Sequence, residues 1–136
     1  MTGINCKIAL ESRQKMGSET ESNLEKYEGT LNLREGKSYL SYKRASEDGP
    51  INCMISFNRK GFTMIQKGSI NSKLELIPGS ETHNIYGTPM GNLDLKIYTR
   101  HYQLIESKNS IKILIDYDII TGAEAIQTSM DISVRY

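Results

Sequence analysis

Apolar and polar residues alternate with a period of two along most of this 136-residue chain. Five such runs begin at Ile4, Ile51, Leu93, Ile111 and Ile126. In the last of them, apolar residues and Thr128 occupy every second position up to Tyr136, and polar residues fill the positions between. Because successive side chains of a strand point to opposite faces, this pattern predicts β-strands with one buried face.

Short glycine-containing connectors separate the alternating runs, and their spacing of mostly about 8 to 15 residues is typical of antiparallel strands joined directly. The connectors are Arg34-Glu35-Gly36-Lys37, Glu47-Asp48-Gly49-Pro50, Asn58-Arg59-Lys60-Gly61, Lys67-Gly68, Pro78-Gly79 and Thr121-Gly122. No amphipathic helix of three turns is visible, and Glu19–Glu28 is the one stretch whose composition tolerates a helix. We therefore expect about nine or ten strands.

A sheet of that many strands leaves two unpaired edges unless it closes on itself. We therefore predict that residues 1–136 form a single all-β domain. Its fold should be an antiparallel, mostly up-and-down β-barrel of about 8 to 10 strands, or a barrel-like sandwich. Such a barrel is either filled by its own side chains or holds one small ligand. An interior cavity above about 300 Å³ would favour a ligand, and a much smaller one would favour a packed scaffold.

Composition and charge narrow the classes of partner. Seventeen basic and 16 acidic residues leave a net charge of +1, which gives no reason to expect nucleic acid or an acidic membrane surface as partner. No apolar run approaches the roughly 20 residues of a membrane-spanning helix. The N-terminal residues do not resemble an export signal, so we expect a cytoplasmic protein with Cys6 and Cys53 as free thiols.

Candidate ligand-binding residues are polar or aromatic side chains on otherwise apolar faces. Thr88-Pro89-Met90-Gly91 has the residue types of a tight β-turn, so the turn alone accounts for these residues. Loops at barrel mouths also host binding sites, and Tyr86 lies on the strand leading into this turn, on the face opposite His83. The residues that we predict to contact a ligand are Tyr86, Thr88, Ser72, Thr99 and Tyr39.

The inventory of catalytic groups is poor. Asp116 and Asp118 share a strand face and have a spacing that acid–base chemistry on a sugar can use, but the opposite face carries the apolar residues, so both are expected outside. Only His83 and His101 are available as histidine bases, and no nucleophile elbow or metal-ligand spacing is present. We predict no catalytic residue, no cofactor and no metal site.

The chain resembles a known family over nearly its whole length, from about Ile4 to Tyr136. The motifs that carry the resemblance are YLSYK, MIQKG, KLELIPG, IYGTPMGNLDLKIYT and LIDYDI, in that order. The chain is similar to the YwiB-like proteins, small bacterial calycin-like β-barrels of unknown function. It departs from them at Gln66, where members often carry arginine. The resemblance implies a calycin- or lipocalin-like β-barrel and a bacterial cytosolic location, but no catalytic residues.

Three hypotheses about function follow. The first is a cytosolic barrel that binds a small molecule in its interior, because polar residues such as Ser72 and Thr99 would need partners there. The second is an interaction or homodimeric module that uses outward tyrosines such as Tyr98 and Tyr102. The third is a hydrolase using the paired aspartates. We favour the first, because the chain is poor in nucleophiles and bases.

Overall fold

The computed structural model describes residues 3–69, 71–88, 90–122 and 124–136, except for the side chains at 88, 121 and 124. These residues form ten strands. The strands are β1 (Ile4–Met16), β2 (Glu19–Arg34), β3 (Lys37–Arg44), β4 (Ile51–Asn58), β5 (Gly61–Lys67), β6 (Ser72–Leu76), β7 (Glu81–Thr88), β8 (Gly91–Ser107), β9 (Ser110–Thr121) and β10 (Glu124–Arg135). No helix in this part of the chain is long and apolar enough to cross a membrane.

The ten strands close into one barrel in which every strand pairs with its neighbours in sequence and β1 pairs with β10. All of these pairings are antiparallel. The prediction of an all-β, up-and-down antiparallel barrel is therefore confirmed. We call the end that carries the β1–β2, β3–β4, β5–β6, β7–β8 and β9–β10 connections the upper end, and the opposite end the lower end.

The barrel interior is filled mainly by the apolar residues of the alternating runs. In β4, for example, Ile51, Cys53, Ile55 and Phe57 are buried, and the residues between them are more exposed. The buried core consists of Cys6, Ile8, Leu31, Leu40, Tyr42, Ile51, Cys53, Ile55, Phe57, Phe62, Leu76, Ile97, Ile111, Ile113, Ile115, Tyr117, Met130, Ile132 and Val134. Both cysteines are free thiols, as expected.

The helix-tolerant stretch Glu19–Glu28 is a strand. It forms the first part of β2, where Thr20 pairs with Lys15 and Glu28 pairs with Lys7. Most of these side chains are exposed, so few apolar residues mark the alternation there. The stretch is extended because its backbone groups bond to β1, an interaction between segments that outweighs a local helix preference.

A β-bulge in β8 changes the face to which its later residues point. The register with β9 shifts between Thr99 and His101, so Arg100 is the extra residue. Tyr98 lies on the outer face, whereas the hydroxyl of Tyr102 donates a hydrogen bond of 2.6 Å to the carbonyl oxygen of Asn58. Counting by two predicts that these tyrosines share an outer face. That prediction is wrong, because a bulge inverts the alternation beyond it.

Side chains replace part of the hydrogen-bond ladder between β6 and β7. In the described residues the register between these strands contains only the pairs Ser72–Tyr86 and Lys73–Ile85. At Glu75 the backbone N–H donates to Asn84 Oδ1 at 2.5 Å, and the carbonyl oxygen accepts from Thr82 Oγ1 at 2.6 Å. Asn84 Nδ2 also donates to Thr82 Oγ1 at 3.1 Å. Thr82 and Asn84 thus satisfy the backbone of a strand that has moved away from its partner.

Gly29 provides a first test of the packing, because it makes room for neighbouring strands. A Cβ atom at this position would lie 2.4 Å from the carbonyl oxygen of Ser41 and 3.1 Å from Ile8 Cδ1. We expect Gly29→Ala to lower the free energy of unfolding by about 1 to 3 kcal/mol or more, as overpacking does. Urea denaturation measures the loss, and the exposed neighbouring change Glu28→Ala is the control. Equal stability of the two variants would contradict the close packing of β2 on β3.

The β6–β7 junction provides a second test. Thr82→Val keeps the side-chain shape but removes the donor to the part-buried carbonyl oxygen of Glu75 and the acceptor for the buried amide of Asn84. We expect a loss of about 1 to 3 kcal/mol, the cost of an unsatisfied buried polar group. The matched control is Thr63→Val on the outer face of β5, which should stay within about 0.5 kcal/mol of the unmodified protein. If urea denaturation gives the same midpoint for both variants, the hydroxyl of Thr82 does not support the junction.

Candidate ligand pocket

Near the upper end, a row of polar and aromatic side chains crosses the inner face of five strands. Tyr42, Cys53, Gln66, Ser72 and Tyr86 are successive cross-strand partners from β3 to β7. We call these residues the upper row. The row forms because each residue lies an even number of positions from buried residues of its own strand and therefore points to the same, inner face. Residues distant in sequence therefore become direct neighbours inside the barrel.

An apolar row lies two residues deeper along the same strands. Leu40, Ile55, Met64 and Leu74 are likewise successive partners from β3 to β6. Leu40 and Ile55 are fully buried, whereas Met64 and Leu74 are partly exposed although they pack on the core. The packing of the interior is therefore incomplete on the side of β5 and β6.

A pocket of about 280 Å³ occupies this incompletely packed region. Strands β3 and β5–β9 supply its walls. Polar side chains from the upper row meet the apolar surface of the deeper layer. The lining residues are Arg44, Met64, Gln66, Ser72, Lys73, Leu74, Asn84, Ile85, Tyr86, Leu95, Ile97, Tyr117 and Ile119.

Arg44 brings a positive charge to the pocket, and its guanidinium group is poorly satisfied by the protein. The nearest carboxylate contact is Nε to Glu25 Oε2 at 4.0 Å, which is too long for a hydrogen bond. No residue in the described part of the chain accepts a hydrogen bond from this guanidinium. Both oxygens of Glu25 already accept hydrogen bonds, Oε1 from Asn23 Nδ2 at 2.9 Å and Oε2 from the Tyr27 hydroxyl. The N–H groups of Arg44 are therefore available to donate hydrogen bonds to a ligand.

Gln66 and Ser72 make one hydrogen bond to each other inside the pocket. Ser72 Oγ donates to Gln66 Oε1 at 3.2 Å. The amide nitrogen of Gln66 meets only sulfur acceptors, Met64 Sδ at 3.9 Å and the Cys53 sulfur, and both are weak. The donor that remains available on this wall is therefore the Gln66 amide.

Burial raises the pKa of the phenols and the thiol near the upper row. Tyr27 and Tyr42 stack with ring centroids 4.7 Å apart. Burial, followed by the hydrogen bond to Glu25, raises the pKa of Tyr27 to about 12, and burial also raises the pKa of Tyr42. Burial raises the pKa of the Cys53 thiol, although the hydrogen bond to Tyr42, the charge of Arg44 and the hydrogen bond to Gln66 act in the opposite direction. Neither the phenols nor the thiol supplies an anionic nucleophile at neutral pH.

The structure brings together two of the five residues predicted to contact a ligand. Ser72 and Tyr86 line the pocket. Thr99 also points inward and is fully buried, but its hydroxyl has no hydrogen-bond partner in the described residues and it does not line the pocket. Tyr39 lies on the outer face of β3, between the buried positions. The side chain of Thr88 and all of Pro89 lie outside the described residues.

Sequence reasoning missed Arg44 and Gln66. Arg44 is in phase with buried Leu40 and Tyr42, and Gln66 is in phase with buried Phe62. This phase is visible in the sequence, but a charged residue at the end of a strand is normally assigned to solvent. The long aliphatic part of arginine allows it to line an interior wall while the charge stays near the mouth.

The predicted outer residues do not form a second site. Asp116 accepts a hydrogen bond from Ser129 Oγ at 2.7 Å, and Asp118 accepts one from Arg100 Nε at 3.1 Å, both on the outer face. His83 is exposed, and its Nδ1 is 3.9 Å from Asp94 Oδ1. Among the described residues no group of three histidine, cysteine or acidic side chains is close enough to hold a metal ion.

Comparison with known proteins gives the family. Residues 8–132 match the family model described as a domain of unknown function, DUF1934. The chain is 24% identical over 96 residues to a protein of Bacillus subtilis (strain 168) described as the uncharacterized beta-barrel protein YwiB, with 71% of this chain and 68% of that protein aligned. The crystal structure of the Bacillus subtilis ywiB protein superposes with a TM-score of 0.88 at 20% identity, covering 98% of this chain and 92% of that one. The likeness to the solved structure shows the same fold, and the resemblance to YwiB-like proteins is confirmed. The chain therefore belongs to the DUF1934 family of β-barrel proteins.

Proposed function

We propose that this protein binds a small molecule inside its barrel, as a cytoplasmic binding protein rather than an enzyme. The observation that carries the proposal is the pocket of about 280 Å³, in which apolar walls meet the polar upper row. Ligand sites in proteins combine a mostly apolar lining with a few polar groups that fix orientation. The pocket has this composition, and Ser72 and Tyr86 belong to it.

The volume of the pocket sets the size of the ligand. Sites for drug-sized molecules span about 300 to 1,000 Å³, so this pocket lies just below that range. We therefore expect a compact ligand, smaller than the lipids that fill large barrels. Elsewhere in the interior, Leu40, Ile55, Leu76, Ile113 and Ile132 are fully buried.

The buried thiols support the cytoplasmic part of the proposal. Cys6 and Cys53 are both free and both buried on the inner face of the barrel. Free buried cysteine behaves as a small hydrophobic residue and persists in reducing compartments.

The alternative functions gain less support. The hydrolase hypothesis depends on Asp116 and Asp118, whose side chains already bond to Ser129 and Arg100 on the outer face. The homodimer hypothesis stays a prediction, although one of its two tyrosines, Tyr102, points inward and bonds to Asn58.

Mass spectrometry of the purified protein tests the proposal directly. Under gentle native spray we expect part of the protein to carry an added mass, because a ligand in a half-enclosed pocket survives transfer to the gas phase. Denaturing spray should release the added mass and leave the bare chain. A bare chain in both modes, from cells grown under several conditions, would count against a resident ligand.

A neutral amphiphile should bind in the pocket even where no resident ligand is retained. In an NMR titration with 1-octanol, we expect chemical-shift changes at Ser72, Leu74 and Leu95 because these residues line the pocket. Ser72→Phe should abolish the changes by filling the volume, whereas Ser56→Phe on the outer face of β4 should leave them intact. Circular dichroism confirms that both variants keep the barrel. Shifts spread evenly over the outer face would contradict a single interior site.

A further inference from the structure

We propose that the ligand is a small amphiphilic carboxylate. Its head group binds the guanidinium of Arg44 and the amide nitrogen of Gln66, and its apolar body lies along Met64, Leu74 and Leu95. This inference rests on the proposed function and specifies the chemical class of the molecule that the same pocket takes. Three features of the pocket favour this class: the unused hydrogen-bond donors, the positive charge of Arg44 and the position of the apolar wall.

Two side chains that line the pocket, Arg44 and Gln66, have N–H donors without a strong acceptor in the protein. The guanidinium of Arg44 carries five N–H groups in a planar fork, and no residue in the described ranges accepts a hydrogen bond from them. The Gln66 amide nitrogen meets only weak sulfur acceptors, those of Met64 at 3.9 Å and of Cys53. Gln66 Oε1, the acceptor on the same side chain, is already bonded to Ser72. A ligand group that only accepts hydrogen bonds fits this set, and a carboxylate is such a group.

The charge near the pocket also favours an anion over a cation. Glu25, the carboxylate facing Arg44, does not line the pocket, and both of its oxygens are occupied by Asn23 and Tyr27. Arg44 does line the pocket. A cationic ligand would therefore meet the guanidinium before it reached Glu25. An anionic ligand would meet a cation with unused donors.

The apolar wall determines where the rest of the ligand lies. Met64, Leu74 and Leu95 are partly buried residues that pack on the core, and all three line the pocket. Met64 and Leu74 lie two residues deeper than Gln66 and Ser72 on their strands. A ligand with its head at the upper row therefore directs its body toward the barrel centre. Because the volume is about 280 Å³, a medium-chain acid fits and a long-chain fatty acid does not.

Glu25 competes with the ligand for the same guanidinium. Its Oε2 lies 4.0 Å from Arg44 Nε, so the ion pair is loose, and the two side chains are 29% and 32% exposed. A partly exposed pair of this kind contributes little to stability, so a ligand carboxylate can replace it at low cost. Removal of the Glu25 charge should therefore strengthen the binding of an anion. A structural role of Arg44 alone does not predict that effect.

The inference is tested by isothermal titration calorimetry at neutral pH. The two probes are octanoate and its neutral analogue octanamide. We expect octanoate to bind about tenfold more tightly, because a charge-assisted hydrogen bond is stronger than a neutral one. Arg44→Gln should weaken octanoate about tenfold and leave octanamide unchanged. Glu25→Gln should tighten octanoate. The matched control is Lys43→Gln, which removes an exposed cation from the opposite face of the same strand and should change neither probe.

The outcomes separate this inference from the proposed function. If neither probe binds, the pocket takes no amphiphile and the proposed function fails. If both bind equally, or if octylamine binds better than octanoate, the pocket binds ligands but the carboxylate assignment is overturned. Weaker octanoate binding in Glu25→Gln would also overturn it. Should Arg44→Gln not fold, the comparison of octanoate with octanamide on the unmodified protein and the Glu25→Gln variant still decide the question.

Discussion

Closure of the sheet by β1 and β10 is the constraint on which the rest of the structure depends. These strands pair continuously from Lys7–Arg135 to Lys15–Gln127. Without this pairing each would present a long row of unpaired backbone groups, a template for aggregation. With it, the alternating apolar residues of all ten strands face one enclosed space. The pairing between β6 and β7 is the shortest in the wall, with two residue pairs, and the pocket lies beside it.

The pocket lies where the regular pairing of the wall is weakest. β6 has only five residues, and Thr82 and Asn84 replace its lost ladder bonds to β7. The pocket is lined by three residues on each side of this junction, 72–74 and 84–86. A strand that moves away from its partner leaves room that side chains of the core do not fill. Of the two side chains that satisfy the backbone there, Asn84 also lines the pocket. The departure from regular pairing thus accounts for the space, and the upper row and Arg44 supply most of its polarity.

The sequence predicted the fold well because alternation is a local property. The burial of Ile51, Cys53, Ile55 and Phe57 follows directly from their period of two. The site was predicted only in part, since it depends on register between strands. That Ser72 lies beside both Gln66 and Tyr86 cannot be read from spacing along the chain. The bulge at Arg100 has no glycine or proline to mark it, so the inward turn of Tyr102 was not foreseeable from counting. Arg44 was overlooked because charge normally indicates an outward residue.

The position of Arg44 near the upper end also explains how a charged side chain can line the interior of the barrel. Complete burial of an ion costs several kcal/mol of desolvation free energy, which interactions with a partner must offset. Arg44 is about one-third exposed, so water still solvates part of its guanidinium while the aliphatic stem covers the wall. The deeper residues Leu40 and Ile55 are inaccessible to solvent and hold no charge. Polarity therefore falls from the mouth toward the centre. A molecule with one polar and one apolar end has a single favourable orientation along that gradient, with its polar end at the upper row.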